Sequence, residues 1–344
     1  MNNLKFLSII LFLTTSLQLN AQVLYVDAIR GSDVAEGSSR SPLLTLQKAV
    51  DMANKFTGEK AISIKLAPGL YQLTSKITIQ PTGGVKDTPK FIIEATVMPD
   101  DTSWQPAKMP VIQSIADTNS DKKFKYCVAF RVERNNVAFR GLKFLGNPRP
   151  DLGYFYAIER QNEKLKGLSI SQCYFIGDKN TAPVQGGIFA QGADISVDHC
   201  IFYGCKNAVL VFLGLNNFSL THSIINGAYE AAVWYGYGEG SNAPLTFSNN
   251  VVANCNYFWI SDPEREHHYT FSNSLIVNNT NYMGLNGMEI QGPDLKNNPV
   301  EINVIKTGDV LFNEITAKGI PHNYLNLSPQ SAGKELNAGI FNNK

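Results

Sequence analysis

Ionisable and aromatic side chains that could do chemistry are concentrated in two stretches, residues 232–242 and 257–268. Carboxylates and histidines can give or take a proton near neutral pH, and an arginine can neutralise an anion in a reacting molecule. We expect catalysis from Glu239, Asp262, Arg265, His267 and His268, and ligand binding from Tyr235, Tyr237, Glu264 and Asn286. The alternative is that residues 262–268 form a solvated turn and that Trp234 and Trp259 pack internally.

A repeat without gaps indicates which elements position these residues. Its six copies start at Phe139, Ile170, Val197, Leu220, Phe247 and Phe271. The first position is always large and apolar, the sixth is always Phe, Ile or Val, and the eighth is always Gly or Asn. Gly and Asn tolerate positive φ, so each copy predicts a strand, a sharp turn and a second strand. Spacings of 23 to 31 residues are typical of solenoids.

The repeat predicts an all-β, single-domain right-handed parallel β-helix. A coil of about 24 residues accommodates three strands and three turns, and each strand pairs with its equivalent one coil away. Because 27 residues separate Leu220 from Phe247, Tyr235 and Asp262 are predicted to be equivalent positions on neighbouring coils. Asn286 follows 24 residues later on the next coil. The candidates of the two stretches are then predicted to share one lateral groove.

The N-terminal part predicts a short helix that covers the first coil. Leu43, Leu46, Val50 and Ala53 recur at helical spacing within residues 41–54. Ser41 with Pro42, or Thr45, suits the helix start. A solenoid needs such a cap because an uncovered coil exposes apolar core and unpaired strand edges.

Both ends of the chain resemble a known superfamily. The sequences YVDAIRGSD (residues 25–33) and APGLY (residues 67–71) resemble the opening of pectate-lyase-like proteins, which have the pectin lyase fold. The sequence LSPQSAGKELNAG (residues 327–339) resembles their closing coil. The resemblance leaves the subfamily unassigned and implies a right-handed parallel β-helix of the kind that bacteria use to handle polysaccharides. Relatives include uronate lyases, glycoside hydrolases, epimerases and non-catalytic surface proteins, and fold does not choose among them.

Two enzymatic readings follow for a sugar polymer, and the first is a uronate polysaccharide lyase. Arg265 would neutralise the uronate carboxylate. His267, His268 or Tyr235 would take the C5 proton.

The second enzymatic reading is a glycoside hydrolase with two opposed carboxylates, Asp262 with Glu239 or Glu264. The rival to both is a non-catalytic glycan-binding or surface structural protein. The Asp-rich calcium cluster of pectate lyases and the Asn-Thr-Asp, Asp-Asp and Gly-His-Gly motifs of polygalacturonases are not found in the sequence. No cofactor is therefore expected, with Ca2+ kept as an alternative.

Composition restricts the partners. With 30 basic and 29 acidic residues and no dense basic run, the chain lacks the electrostatic footprint that nucleic acids require. We expect a polysaccharide or oligosaccharide ligand and a monomeric protein. No His-Glu-x-x-His element supports a zinc site.

Two further groups of ionisable residues each allow two interpretations. His199 and His222 occupy the same column of successive repeats, which favours a surface ladder over a metal pair. Four arginines form a loose group that could contact an acidic glycan, or could simply be solvated: Arg131, Arg134, Arg140 and Arg149.

The five cysteines are odd in number and match no zinc or haem spacing. Cys173 and Cys200 fall in a repeat column of small or polar residues, so we expect them to pack in the interior. Whether Cys205 and Cys255 pair is left open.

Residues 1–21 are predicted to form a secretory signal peptide, because Lys5 precedes an apolar run. Cleavage is expected after Ala21. An uncleaved anchor is the alternative, although the apolar run is too short to cross about 30 Å of hydrocarbon. We expect a secreted protein in the periplasm, at the cell surface or outside the cell. The mature domain is predicted to divide into a cap (about 22–60), coils (about 61–325) and a closing segment (326–344).

Overall fold

A computed structural model of the chain describes residues 22–82, 87, 90–117, 125–236, 244–262, 269–286, 291–293 and 299–341. The predicted signal peptide lies outside the described residues. The single α-helix of the described part is α1 (Leu46–Ala53), and two short 3-10 helices are Pro106–Lys108 and Lys334–Leu336. The strands are β1 (Gln22–Val26), β2 (Ile62–Leu66), β3 (Leu70–Leu73), β4 (Ile77–Ile79), β5 (Phe91–Ala95), β6 (Val111–Ser114), β7 (Tyr126–Val132), β8 (Val137–Arg140), β9 (Lys143–Leu145), β10 (Tyr154–Arg160), β11 (Lys166–Ser171), β12 (Tyr174–Ile176), β13 (Gly186–Ala190), β14 (Ala193–Asp198), β15 (Ile201–Tyr203), β16 (Asn207–Val211), β17 (Asn216–Thr221), β18 (Ile224–Asn226), β19 (Ala231–Tyr235), β20 (Leu245–Ser248), β21 (Val251–Ala253), β22 (Tyr257–Ser261), β23 (Thr270–Ser272), β24 (Leu275–Val277), β25 (Asn281–Leu285), β26 (Gln291–Pro293) and β27 (Val300–Ile302).

The strands form three sheets, to which each regular coil contributes one strand apiece. Sheet A has the order β1-β2-β5-β8-β11-β14-β17-β20-β23-β27, and sheet B runs β24-β21-β18-β15-β12-β9-β6-β3. Sheet C runs β26-β25-β22-β19-β16-β13-β10-β7-β4. Within the described ranges all strand pairs are parallel except β25 with β26. The expected right-handed parallel β-helix is confirmed, in keeping with the strong preference of parallel crossovers for that hand.

Columns of apolar side chains fill the space between the three sheets. The first positions of the six repeats stack in register along sheet A and are buried. On sheet B, the ring of Phe175 stacks between Phe144 at 4.8 Å and Phe202 at 4.6 Å. Burial of each such side chain contributes about 1.5–3 kcal/mol, so repetition of the column stabilises every coil against its neighbours.

A second interior column satisfies the backbone at the turns between sheets A and B. The amide of Cys200 donates to Ser223 Oγ at 3.1 Å, the amide of Ser223 to Asn250 Oδ1 at 2.9 Å, and the amide of Asn250 to Ser274 Oγ at 3.1 Å. The coils that carry Ser223, Asn250 and Ser274 each therefore place a side-chain oxygen at the turn of the preceding coil. This explains why small or polar residues recur in the column.

All five cysteines are buried free thiols. The interior packing predicted for Cys173 and Cys200 is confirmed, since neither is exposed. Cys205 and Cys255 do not form a disulfide.

The predicted capping helix is confirmed, and of the two predicted starts, Ser41 with Pro42 or Thr45, it uses Thr45. Thr45 is the N-cap, and its Oγ1 accepts from the amide of Lys48 at 3.2 Å. Leu46 and Val50 are among the buried residues of α1, which packs against β1, β2 and β4 and so covers the first coil. Leu43 stays outside the helix because its backbone forms an isolated bridge with Val26. No helix in the described ranges is long and apolar enough to span a bilayer.

Candidate functional site

The groove predicted from the two polar stretches is described only in part. Six of its nine residues lie outside the described ranges: Tyr237, Glu239, Glu264, Arg265, His267 and His268. Their roles stay predictions. The other three are Tyr235, Asp262 and Asn286, all buried in the structure.

The predicted equivalence of Tyr235 with Asp262 is wrong by one residue, because Tyr235 pairs with Ser261. The turn before β22, residues 254–256, is one residue shorter than the turn before β19, residues 227–230. A shift of one position along a strand moves a side chain to the other face. Tyr235 and its partner Ser261 are both buried in the core, where burial raises the pKa of the Tyr235 hydroxyl to about 12.

The register predicted for Asp262 and Asn286 agrees with the strands, since Ser261 pairs with Leu285.

The two tryptophans differ in position. Trp259 is wholly buried, whereas Trp234 is half-buried on the outside of sheet C. The prediction that both pack internally is correct for Trp259 alone.

The strongest cluster of ionisable and aromatic residues lies instead on the outside of sheet C, nearer the N-terminus. We call it the sheet C face, defined as Tyr126, Arg131, Tyr154, Tyr156, Glu159, Lys206 and Glu230. Two of its pairs are set by strand register, because Tyr126 faces Tyr154 and Arg131 faces Glu159 on β7 and β10.

The first ion pair of the face joins Arg131 and Glu159. Arg131 approaches Glu159 Oε2 through Nη2 at 2.6 Å and through Nε at 2.7 Å. Burial opposes the charge on Arg131, but the carboxylate of Glu159 and the hydroxyl of Tyr126 outweigh burial and raise its pKa. The Glu159 side chain is fully buried and also accepts from Gln161 Nε2 at 2.7 Å. This pair is a fixed part of the face.

The second ion pair is more exposed and lies three coils further along, at the turns before β16 and β19. Lys206 Nζ donates to the hydroxyl of Tyr154, lies 4.5 Å from the centre of its ring, and is 3.1 Å from Glu230 Oε1. Glu230 Oε2 also accepts from Asn207 Nδ2 at 2.6 Å. Burial favours neutral Lys206, but contacts with Tyr154 and Glu230 raise its pKa above the ordinary value. The Lys206 side chain thus stays protonated beside the phenolic oxygen of Tyr154.

Tyr156 connects the two ion pairs. Its ring lies 5.9 Å from that of Tyr154 and 5.3 Å from that of Phe189. Burial, Tyr154 and the two carboxylates of the face raise the pKa of Tyr156. From Phe189 the aromatic strip continues to Phe212 at 5.5 Å and from there to Trp234 at 6.3 Å. Half-buried rings therefore follow the helix axis from β7 to β19, a distance of roughly 20 Å at about 4.8 Å per strand.

Sequence reasoning missed this face because the repeat alignment covered only the strands of sheets A and B. A signal was present: 28 residues separate Tyr126 from Tyr154, and 28 separate Arg131 from Glu159. Equal spacing of two polar pairs within one strand length predicts that both pairs lie side by side.

The four arginines, for which a loose basic group and simple solvation were the two alternatives, do not form one group. Arg131 and Arg140 lie on different sheets, and Arg140 Nη1 is 3.3 Å from Glu94 Oε2. Arg149 pairs with Asp117 at 3.2 Å. Arg134 is fully buried, with its guanidinium 5.2 Å from the centre of the Phe91 ring. Arg134 Nε also lies 3.6 Å from Asp87 Oδ1, so all four cations pair with carboxylates and form no shared basic patch.

The histidine ladder predicted from the repeat is present on the turns between sheets A and B. The rings of His199 and His222 are stacked at 4.6 Å with an interplanar angle of 14°. Asp198 joins them, with Oδ2 at 2.8 Å from His199 Nδ1 and Oδ1 at 3.1 Å from His222 Nδ1. Although burial opposes ionisation of Asp198, hydrogen bonds from His199, Thr221 and His222 lower its pKa to about 2.

No protein-family model matches the sequence, and no curated protein matches it. Similar solved structures include a rhamnogalacturonan lyase, with 12% identity, a TM-score of 0.44, and coverage of 93% of this chain and 100% of that one. A pectin methylesterase from Aspergillus niger has 11% identity, a TM-score of 0.47, and coverage of 83% and 86%. A lacto-N-biosidase from Eubacterium ramulus has 10% identity, a TM-score of 0.40, and coverage of 83% and 68%. The strand order of the three sheets itself establishes the parallel β-helix fold.

Proposed function

We propose that the sheet C face binds a polysaccharide. Aromatic rings offer flat apolar surfaces for the faces of sugar rings, and neighbouring charged groups can fix hydroxyls by hydrogen bonds. The strip from Tyr126 to Trp234 combines both, and Lys206 and Glu230 remain about one-fifth exposed, at 22% and 23% of their side-chain surface. A glycan lying along the helix axis would contact rings and charges on successive coils.

The reaction that this face supports best is β-elimination on a uronate polysaccharide, and the contact between Lys206 and Tyr154 carries the proposal. Tyr154 reacts as its phenolate, which the adjacent Lys206 ammonium group stabilises once the phenolic proton has passed to solvent, and Lys206 also neutralises the uronate carboxylate. The C5 proton passes to the Tyr154 oxygen, and the electron pair of the broken C–H bond forms the C4–C5 double bond. The C4–O bond breaks as Tyr154 gives the same proton to the departing oxygen, which restores the phenolate. A cation beside the oxygen where charge develops lowers the barrier to such a transfer.

Hydrolysis is less well supported by the same face. It requires two carboxylates that both reach the glycosidic bond. Glu159 is fully buried and held by Arg131, which leaves Glu230 as the accessible carboxylate of the sheet C face.

The test uses the purified chain with a panel of uronate and neutral polysaccharides, followed by ultraviolet absorbance of unsaturated product and by release of reducing ends. Tyr154→Phe removes one oxygen, and we expect it to lower the rate of product formation by at least about 100-fold while glycan binding persists. Tyr203→Phe, on sheet B, is the matched control and should keep the rate. Reducing ends without absorbance would overturn elimination in favour of hydrolysis.

Non-catalytic glycan binding is the second candidate, and the pairing of both cations with carboxylates favours it. A face whose charges are already balanced suits neutral hydroxyls as well as acidic sugars. Retained binding without either product would support this function and overturn catalysis.

We also propose that the protein is exported, as the sequence of residues 1–21 predicts. N-terminal sequencing of protein recovered outside the cytoplasm should then begin at Gln22. Recovery of intact chain in the cytoplasm alone would contradict export.

A further inference from the structure

Asp198, His199 and His222 form a compact group of metal-ligating side chains away from the sheet C face. Each offers one ligand atom, and these atoms lie within 4.8 Å of one another. The group is accessible from solvent, because the side chains of Asp198 and His222 are 38% and 33% exposed. It lies on the turns between sheets A and B, so it is separate from the proposed glycan-binding face.

The turn itself does not require histidine. His199 and His222 have φ of 50° and 46°, and asparagine fills the same column on the next two coils at Asn249 and Asn273, with φ of 56° and 43°. Asparagine is favoured over most side chains in this left-handed region. Backbone conformation therefore does not account for two successive histidines beside an aspartate.

We propose that Asp198, His199 and His222 bind a divalent transition metal ion, with Zn2+ as the first ion to test. Two imidazole nitrogens and one carboxylate oxygen match the ligand types that zinc, copper and nickel prefer. Three protein ligands leave a fourth position for water in a tetrahedral zinc site. Because His199 and His222 belong to successive coils, the ion would also cross-link those coils.

Binding changes the hydrogen bonds of the two rings. The Nδ1 atoms that now contact Asp198 become ligands, so each neutral ring carries its proton on Nε2 instead. At His222, Asn249 Nδ2 now lies 3.1 Å from Nε2, and a turned amide would accept from the relocated proton. The stacked rings must also tilt so that both lone pairs converge. His222 is the ring that can move, since the side chain of His199 is only 7% exposed.

The experiment is calorimetric titration of the metal-stripped full chain with ZnCl2. We expect one zinc ion per chain and a higher thermal midpoint in its presence. His199→Asn and His222→Asn carry the residue that Asn249 already places in this turn, so both variants should fold. Each should weaken zinc binding at least about tenfold, and the double variant should lose it.

The matched control is His322→Asn, which changes a histidine stacked on Phe341 at 5.2 Å, outside the cluster. It should bind zinc as the parent chain does. Undetectable binding by the parent chain would overturn the proposal. So would unchanged stoichiometry and affinity in the His199→Asn, His222→Asn double variant, because the ion would then be bound elsewhere.

Discussion

Replacement of Asn250 by alanine tests how the coils are held together at their turns. The side chain of Asn250 is 1% exposed, accepts from the amide of Ser223 at 2.9 Å and donates to the carbonyl of Leu220 at 2.8 Å. Asn250→Ala removes the side-chain oxygen and the side-chain N–H, and leaves the buried Ser223 amide and Leu220 carbonyl without these hydrogen bonds. Each unsatisfied group costs about 1–3 kcal/mol, so we expect the free energy of unfolding to fall by about 3 kcal/mol.

Equilibrium unfolding in guanidinium chloride, followed by far-ultraviolet circular dichroism and tryptophan fluorescence, measures this loss as a lower midpoint at constant slope. Asn216→Ala is the control, because Asn216 lies exposed on β17 and its replacement should change stability by less than about 0.5 kcal/mol. Asn250→Ser keeps an oxygen in the column, as in Ser223 and Ser274. Its loss of stability should lie between those of Asn250→Ala and Asn216→Ala. If Asn250→Ala costs no more than Asn216→Ala, the side-chain ladder does not stabilise the turns and the reasoning fails.

Three further changes test the core, an N-terminal turn and the sheet C face. Phe175→Ala removes a ring stacked between those of the adjoining coils and should cost about 3–5 kcal/mol in the same unfolding assay; a loss under 1 kcal/mol would contradict the packing. Asp27 accepts from the amides of Ile29 and Arg30, and these bonds lower its pKa although burial opposes ionisation. The stabilisation by the Asp27 carboxylate is therefore present above its unfolded pKa and is lost as pH falls through its folded pKa. Asp27→Asn should then lower the unfolding midpoint at neutral pH and have little effect in strong acid. Equal effects at the two pH values would exclude the mechanism. Lys206→Met keeps the apolar stem but removes the ammonium ion, and should lower the elimination rate by at least about 100-fold, whereas an unchanged rate would exclude Lys206 from the reaction.

Sheets A and B could be predicted from the sequence because their inward positions recur in an almost constant frame. Phe139 and Ile170 open repeats 31 residues apart in the sequence, yet they are direct partners in sheet A. The extra residues are accommodated in turns outside the six repeats, so alignment of the repeats was enough to identify the strands on both sides of the turn between sheets A and B.

Sheet C was harder to place because turns of variable length flank its strands. Because the turn before β22 is one residue shorter than the turn before β19, the 27-residue spacing matched Tyr235, which lies in the core, with Asp262 instead of with Ser261. Repeat spacing measured on one sheet is therefore transferable to another only where the intervening turn has the same length.

Strand register explains why the sequence predicts the contacts of one candidate site and not those of the other. His199 and His222 occupy matching positions of aligned repeats, so their contact follows from register alone, and Asp198 adjoins the first of them. The contact of Lys206 with Tyr154 spans 52 residues and two coils, and it needs a turn residue to reach back across a neighbouring strand. Such a contact depends on side-chain direction and turn length together. Function in this solenoid is thus expected where outer side chains reach across coils, while the inner columns specify only how the coils stack.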